Sequence, residues 1–132
     1  MSGLVPYLHF GGTARQALDF YAGIFGGEVV ANTFAEFGRT DGAAEFVAHG
    51  HLTKSPVELF AADAGEGEET LRTEGVMFSL LGTASAAELT TWFEKLSEGG
   101  EVKDALALRD WGDHDGQVID KYGVFWLIGY EG

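Results

Sequence analysis

The chain opens on an apolar run, Leu4 to Phe10, that reads as a strand with Pro6 near its start. The period then changes. Ala14, Ala17, Leu18, Tyr21, Ile24 and Phe25 recur at helical spacing and form one apolar face. Thr13 stands at the N-cap with Gln16 at the capping-box position. Gly26-Gly27 ends this helix, because glycine accepts the left-handed conformation without steric cost. Glu28 to Phe37, rich in Val, Thr and Phe, predicts a strand, and Gly38 to Gly42 a loop. Glu45 to Thr53 and Pro56 to Ala62 predict two more strands joined by Lys54-Ser55.

The same order then returns. Val76 to Leu81 predicts a strand. Ser85-Ala86-Ala87-Glu88 is a capping box before a stripe of Leu89, Trp92, Phe93 and Leu96, and Gly99-Gly100 stops the helix. Glu101 to Leu108 is extended and Trp111 to Gly116 a polar, glycine-bearing loop. Gln117 to Lys121 and Val124 to Tyr130 form a last strand pair turned by Tyr122-Gly123. The words repeat as well as the order: Gly12-Thr13-Ala14 matches Gly82-Thr83-Ala84, and Gly26-Gly27-Glu28-Val29 matches Gly99-Gly100-Glu101-Val102. A βαβββ unit written twice predicts an α+β domain of mixed sheets with one helix per half. Module one is expected at 1–63, an acidic linker at 64–74 and module two at 75–132, within one domain spanning 1–132. Paired units of this kind usually build a shared concavity, the expected place for a binding site.

Composition narrows the class. At 132 residues, with 45% hydrophobic and 13% aromatic residues, the chain can bury roughly two-thirds of its unfolded surface. It has no cysteine, which excludes disulfides, thiolate metal sites and a cysteine nucleophile. No apolar run approaches the ~18 residues of a membrane span, and no basic stretch leads into an apolar one, so a cytoplasmic protein without membrane contact is expected. The net charge of −13 repels phosphate backbones and argues against nucleic-acid binding. Much of that acidity lies in Asp63 to Glu74, which reads as a solvated linker.

Four passages carry a resemblance to a known family. They are Pro6-Tyr7-Leu8-His9-Phe10-Gly11-Gly12 leading to Ala17-Leu18-Asp19-Phe20-Tyr21 and Phe25-Gly26-Gly27-Glu28; His49-Gly50-His51-Leu52 running to Ala61-Ala62-Asp63; Trp92-Phe93 with Leu96 and Gly99-Gly100; and Trp111-Gly112, Gly116, then Asp120-Lys121-Tyr122-Gly123-Val124-Phe125-Trp126. Together they span nearly the whole chain. The sequence resembles the vicinal oxygen chelate superfamily of glyoxalases, bleomycin-resistance proteins and ring-cleaving dioxygenases, and most closely its PhnB-like branch. The resemblance implies the glyoxalase/bleomycin-resistance/dioxygenase fold, with two βαβββ modules curling their sheets around a cavity. It also implies a homodimer, and often a divalent metal held by His, Gln or Glu on the first and last strands of each module.

Carried over by strand position, the usual ligands fall near Val5, on Met77 or Ser79, on Leu127 and near Glu58. Only Glu58 could ligate, so the expectation is no metal cofactor. His9, His49 and His51 with Glu58 remain an alternative set for a divalent ion, since His49 and His51 share one strand face, as do Tyr7 and His9. His114 lies between Asp113 and Asp115, where carboxylates can raise an imidazole into the range of a general base; the same segment also reads as a solvated turn. Trp111 and Trp126 are candidates for core or cavity wall. Tyr7, His9, His49, His51, Glu58, Trp111, His114 and Trp126 are thus the expected ligand-binding residues, with a small molecule as partner. A binding protein is the first expectation. A metal-dependent lyase, isomerase or dioxygenase of glyoxalase type is the alternative. A nucleotide-dependent methyltransferase, a label this branch sometimes carries, is disfavoured because no glycine-rich loop follows a strand with an acidic residue downstream.

Overall fold

The computed structural model describes residues 3–72 and 74–132. The chain divides into two compact units, Met1–Leu71 and Arg72–Gly132. The first contains β1 (Tyr7–Phe10), α1 (Ala14–Phe25), β2 (Glu28–Thr33), β3 (Val47–Thr53) and β4 (Leu59–Asp63). The second contains β5 (Phe78–Leu81), α2 (Ala86–Ser97), β6 (Glu101–Leu108), β7 (Asp113–Ile119) and β8 (Phe125–Glu131). The βαβββ order is present twice, as the periodicity predicts. Among the described residues no helix is long and apolar enough to cross a membrane.

Each unit is one four-stranded mixed sheet with a helix on one face. The strand order is β1-β4-β3-β2 in the first and β5-β8-β7-β6 in the second. The outer pair β1–β4, like β5–β8, is parallel, and the remaining pairs are antiparallel. In the first unit α1 buries Ala14, Ala17, Leu18, Tyr21, Ile24 and Phe25 against Leu8, Phe10, Val47, Leu52, Leu59 and Ala61. In the second, α2 buries Leu89, Trp92, Phe93 and Leu96 over Val118, Trp126 and Ile128. One face of each sheet is thereby covered and the other left open, the usual arrangement for sheets of this kind.

The strand registers align the two units residue by residue. Leu8 pairs with Ala61, which pairs with Gly50; Leu80 pairs with Ile128, which pairs with Gly116. Gly50 and Gly116 are both the fourth residue of a seven-residue strand. A Cβ on Gly50 would run into the Leu18 side chain, and one on Gly116 into Phe93 and the Leu106 backbone. A glycine at mid-strand therefore lets each helix sit down on its sheet. The repeated Gly-Gly-Glu-Val word has a similar cause. A Cβ on Gly27 would meet the carbonyl oxygen of Thr53, and one on Gly100 that of Ile119.

Several boundaries differ from the sequence expectation. β1 begins at Tyr7 and β5 at Phe78 rather than at Leu4 and Val76. The expected strand Glu28 to Phe37 stops at Thr33, where the chain turns back: the Phe37 and Arg39 amides donate to the Phe34 carbonyl. Residues 113–116, expected as loop, belong to β7. The Arg109 amide bonds the Asp113 carbonyl, which closes the β6–β7 hairpin early.

The two helix starts also differ. Ser85 and Glu88 form the expected capping box. Thr13 is the N-cap of α1 but makes no side-chain bond. The free amides of Gly12 and Ala14 are instead bonded by Asp63 Oδ1, both at 2.9 Å, while Oδ2 takes the Val47 amide at 2.9 Å. Asp63, expected in a solvated acidic linker, is thus the buried last residue of β4. Three amide donors stabilise its charge where water cannot reach.

Candidate functional site

The open face of the first sheet gathers five of the expected residues. Side chains alternate along a strand, so Tyr7 and His9 on β1, His49 and His51 on β3, and Glu58 and Phe60 at β4 all point away from α1. Register places His51 opposite Phe60 on one side and Val30 on the other, with Asn32 opposite His49. Phe60 lies at the centre. Its ring centroid is 5.6 Å from Tyr7, 5.3 Å from His49 and 4.4 Å from His51. Tyr7 also stacks on His9 at 5.1 Å with the planes 16° apart. The result is a shelf of five rings on a single sheet face.

Two polar pairs edge the shelf. Tyr7 Oη lies 2.8 Å from His49 Nδ1, and His51 Nε2 lies 2.5 Å from Glu58 Oε2. Tyr7 is 43% exposed, and partial burial raises its phenol pKa, opposed by Arg39 and reinforced by Glu68. The phenol therefore stays neutral at working pH and keeps its proton for hydrogen bonding. His51 and Glu58 side chains are each about a quarter exposed, so both are half-shielded yet reachable. The carboxylate orients the imidazole, an arrangement suited to proton transfer with a bound molecule.

The shelf is flanked by a clamp. The Arg39 guanidinium bonds Asp41 through Nε at 3.0 Å and Nη2 at 2.6 Å, reaches Glu68 at 3.3 Å and lies over the Phe34 ring at 3.9 Å. Arg39 hydrogen bonding lowers the Asp41 pKa; Glu68 is lowered first by the Gly65 amide and then by Arg39. Arg39 ties the segment after β2 to the segment after β4. The Leu71 amide in turn bonds the His9 carbonyl, so part of the expected linker is docked along β1.

The divalent metal that the fold family often carries needs several converging donors. Val5 and Leu127 have no donor atom. His51 and Glu58 are one pair and Tyr7 and His49 another. Among the described residues no three His, Asp or Glu side chains converge as a metal site needs. Within the described residues, the alternative set His9, His49, His51 and Glu58 is not gathered around one point as a three-donor group.

The remaining expected residues lie in the second unit. Trp126 is 1% exposed; it is core, and its indole N–H bonds Asp120 at 2.8 Å. Trp111 is 68% exposed in the β6–β7 turn and is not part of the second unit's core. His114 stacks on Tyr130 at 4.8 Å with the planes 16° apart. Beside this pair is a cavity of about 680 Å3, lined by Leu81, Leu127, Asp113, Asp115 and Glu131 as well as the two rings. Arg109 bonds Asp115 through Nε at 2.8 Å and reaches Asp104 at 3.1 Å; the Asp115 bond leads in raising the Arg109 pKa.

Phe60 is the site residue that sequence reasoning overlooked. The signal was available: strand alternation puts it on the face of Glu58, two residues away. Arg39 and Glu68 carried no comparable signal, because their pairing joins two loops distant in sequence.

The comparisons with known proteins agree with this architecture. The 3-demethylubiquinone-9 3-methyltransferase family matches residues 2–129. Protein YjdN of Escherichia coli is 25% identical over 138 residues, covering 95% of this chain and 92% of that protein. Protein PA1353 from Pseudomonas aeruginosa is 29% identical and superposes with a TM-score of 0.80, over 99% of this chain and 98% of that one. The PhnB protein of Bacillus cereus is 24% identical with a TM-score of 0.82, over 98% and 99% of the two chains. A family match over almost every residue and a duplicated βαβββ unit lead to one conclusion: the chain has the fold of the PhnB and glyoxalase/bleomycin-resistance proteins and belongs to the 3-demethylubiquinone-9 3-methyltransferase family.

Proposed function

We propose that this protein binds a small organic molecule on the open face of its first sheet, without a metal. The observation that carries this reading is the ring shelf around Phe60, edged by the Tyr7–His49 and His51–Glu58 pairs. Rings supply a large apolar contact area, and the paired polar groups can be re-aimed at a ligand at low cost. A planar or aromatic compound with one or two hydrogen-bonding groups suits that surface. Sequestration of such a compound, as bleomycin-resistance relatives perform, is the physiological form of this reading. The methyltransferase of the family's name is not favoured, for want of a glycine-rich nucleotide loop.

The test is thermal stabilisation of chelator-treated protein by a panel of aromatic and phenolic compounds that includes bleomycin. A compound present at about one hundred times its Kd stabilises by about 2.7 kcal/mol. Phe60→Ala and Tyr7→Phe should weaken or abolish that shift. A panel that shifts nothing at millimolar concentration would count against the reading.

A glyoxalase-type enzyme is the second reading, and the short His51–Glu58 contact favours it. It predicts that a compound found by the panel is converted, and that Glu58→Gln stops conversion while binding persists. Binding without conversion would leave the first reading alone.

A further inference from the structure

We propose that the shelf is also a catalytic surface, on which His51 and Tyr7 carry out the metal-free hydrolysis of a neutral aryl ester held against Phe60. The inference rests on the shelf as the place where a molecule binds. Strand register carries it. Phe60 on β4 is the partner of Tyr7 on β1 and of His51 on β3, so the three side chains stand in one row across the open face. Tyr7 and His51 are therefore two strand spacings apart, about 9–10 Å, with the Phe60 ring as the floor between them. A water at one imidazole nitrogen, the carbonyl that it attacks and a hydrogen bond onto the carbonyl oxygen together span about that distance.

Each end of the row holds the group that its step needs. The Glu58 carboxylate accepts and does not donate, so it fixes the His51 proton on Nε2. Nδ1 then carries the lone pair, and among the described residues it has no hydrogen-bond partner. His51 is placed as a general base, and Glu58 is its positioning residue. At the other end Tyr7 Oη lies 2.8 Å from His49 Nδ1. With a proton on that nitrogen, His49 donates to the phenol oxygen and the Tyr7 O–H is left to donate to a ligand. His51 takes a proton from water as the water oxygen bonds to the ester carbonyl carbon. The carbonyl electron pair moves onto oxygen, where Tyr7 donates to it. Collapse breaks the bond to the aryl oxygen, which leaves as a phenol with the proton from His51, and a carboxylic acid is the second product.

Two observations choose this chemistry and this substrate. Tyr7 is well exposed and the His51 and Glu58 side chains are each about a quarter exposed, so water reaches the row. Arg39 is engaged by Asp41 and Glu68, and Lys54 by Glu28, so neither is on offer to an anionic substrate. A neutral ester with an aryl group also supplies the ring that Phe60 can stack.

The experiment measures hydrolysis of 2-naphthyl acetate by the chelator-treated full chain, beside an amide-resolved NMR titration with its ketone isostere 1-(2-naphthyl)propan-2-one. Turnover should saturate and exceed that of an equal concentration of imidazole at least about a hundredfold. The isostere should shift amides at 7–9, 49–51 and 58–60. His51→Gln and Tyr7→Phe should each lower kcat/KM at least about tenfold. Glu58→Gln should lower kcat to a similar extent while KM and the isostere's Kd stay within about twofold, a split that a merely structural role does not produce. Isostere binding at the shelf without turnover above imidazole would overturn the hydrolysis and leave the binding site standing. Turnover that survives His51→Gln or Tyr7→Phe would also overturn the proposal. Neither turnover nor shifts at the shelf up to millimolar concentration would overturn it and count against the binding reading as well.

Discussion

Asp63 shows how much one side chain can hold. It is 2% exposed and accepts from Gly12, Ala14 and Val47, so it binds the start of α1 and the first residue of β3 to the end of β4. In Asp63→Asn one oxygen becomes a donor facing another donor. The variant should lose about 1–3 kcal/mol, the cost of an unmatched buried polar group, read by urea denaturation against the unaltered protein. Asp120, also buried, has a local part instead: it accepts from Tyr122, Val124 and Trp126 and so holds the β7–β8 turn. The residue-scale chemistry of the shelf was largely legible from the chain. Strand periodicity puts Tyr7 with His9, and His49 with His51, on one face of their strands, and pairing through β4 makes it the same sheet face. The cap at Asp63 was not legible, because its three donors come from positions far away in sequence.

At the scale of elements, the Arg39 clamp joins two loops, and its contribution has a definite pH dependence. Asp41 and Glu68 have lowered pKa values in the folded state. A group with a depressed folded pKa stabilises fully above its unfolded value and loses that contribution as pH falls through the folded one. The ordinary values are 3.8 and 4.5. The stability gap between the unaltered protein and Arg39→Gln should therefore be constant near neutral pH and close progressively below about pH 4.5, as denaturation at a series of pH values would show. The partners are substantially exposed, so the gap should also narrow with salt. Helices were well predicted at this scale and strand ends less so. Apolar spacing marks a buried helical face directly, whereas a strand ends where pairing ends, which depends on the neighbouring strand.

For the whole molecule, the net charge of −13 sets the behaviour in solution. Self-repulsion opposes the compact state and salt screens it. The Tm should rise as sodium chloride is increased from about 10 mM to 200 mM, a range over which the screening length falls steeply. The chain should show no retention on immobilised duplex DNA at either concentration. A Tm that fell with salt would mean that attractive pairs such as Arg39–Asp41 and Arg109–Asp115 outweigh the excess of negative charge.

The sequence by itself determined the duplication, the order of elements in each copy, the helix faces and, within single strands, the face shared by Tyr7 with His9 and by His49 with His51. These follow from local periods and from words that repeat along the chain. The tertiary structure alone decided which strands pair, that Asp63 is a buried cap rather than a linker charge, and that Trp126 belongs to the core while Trp111 stands in solvent. It also decided that Asp113 and Glu131 are direct neighbours on adjacent strands. Each of these is a relation between residues remote along the chain. Such relations arise only when register and packing bring the residues together.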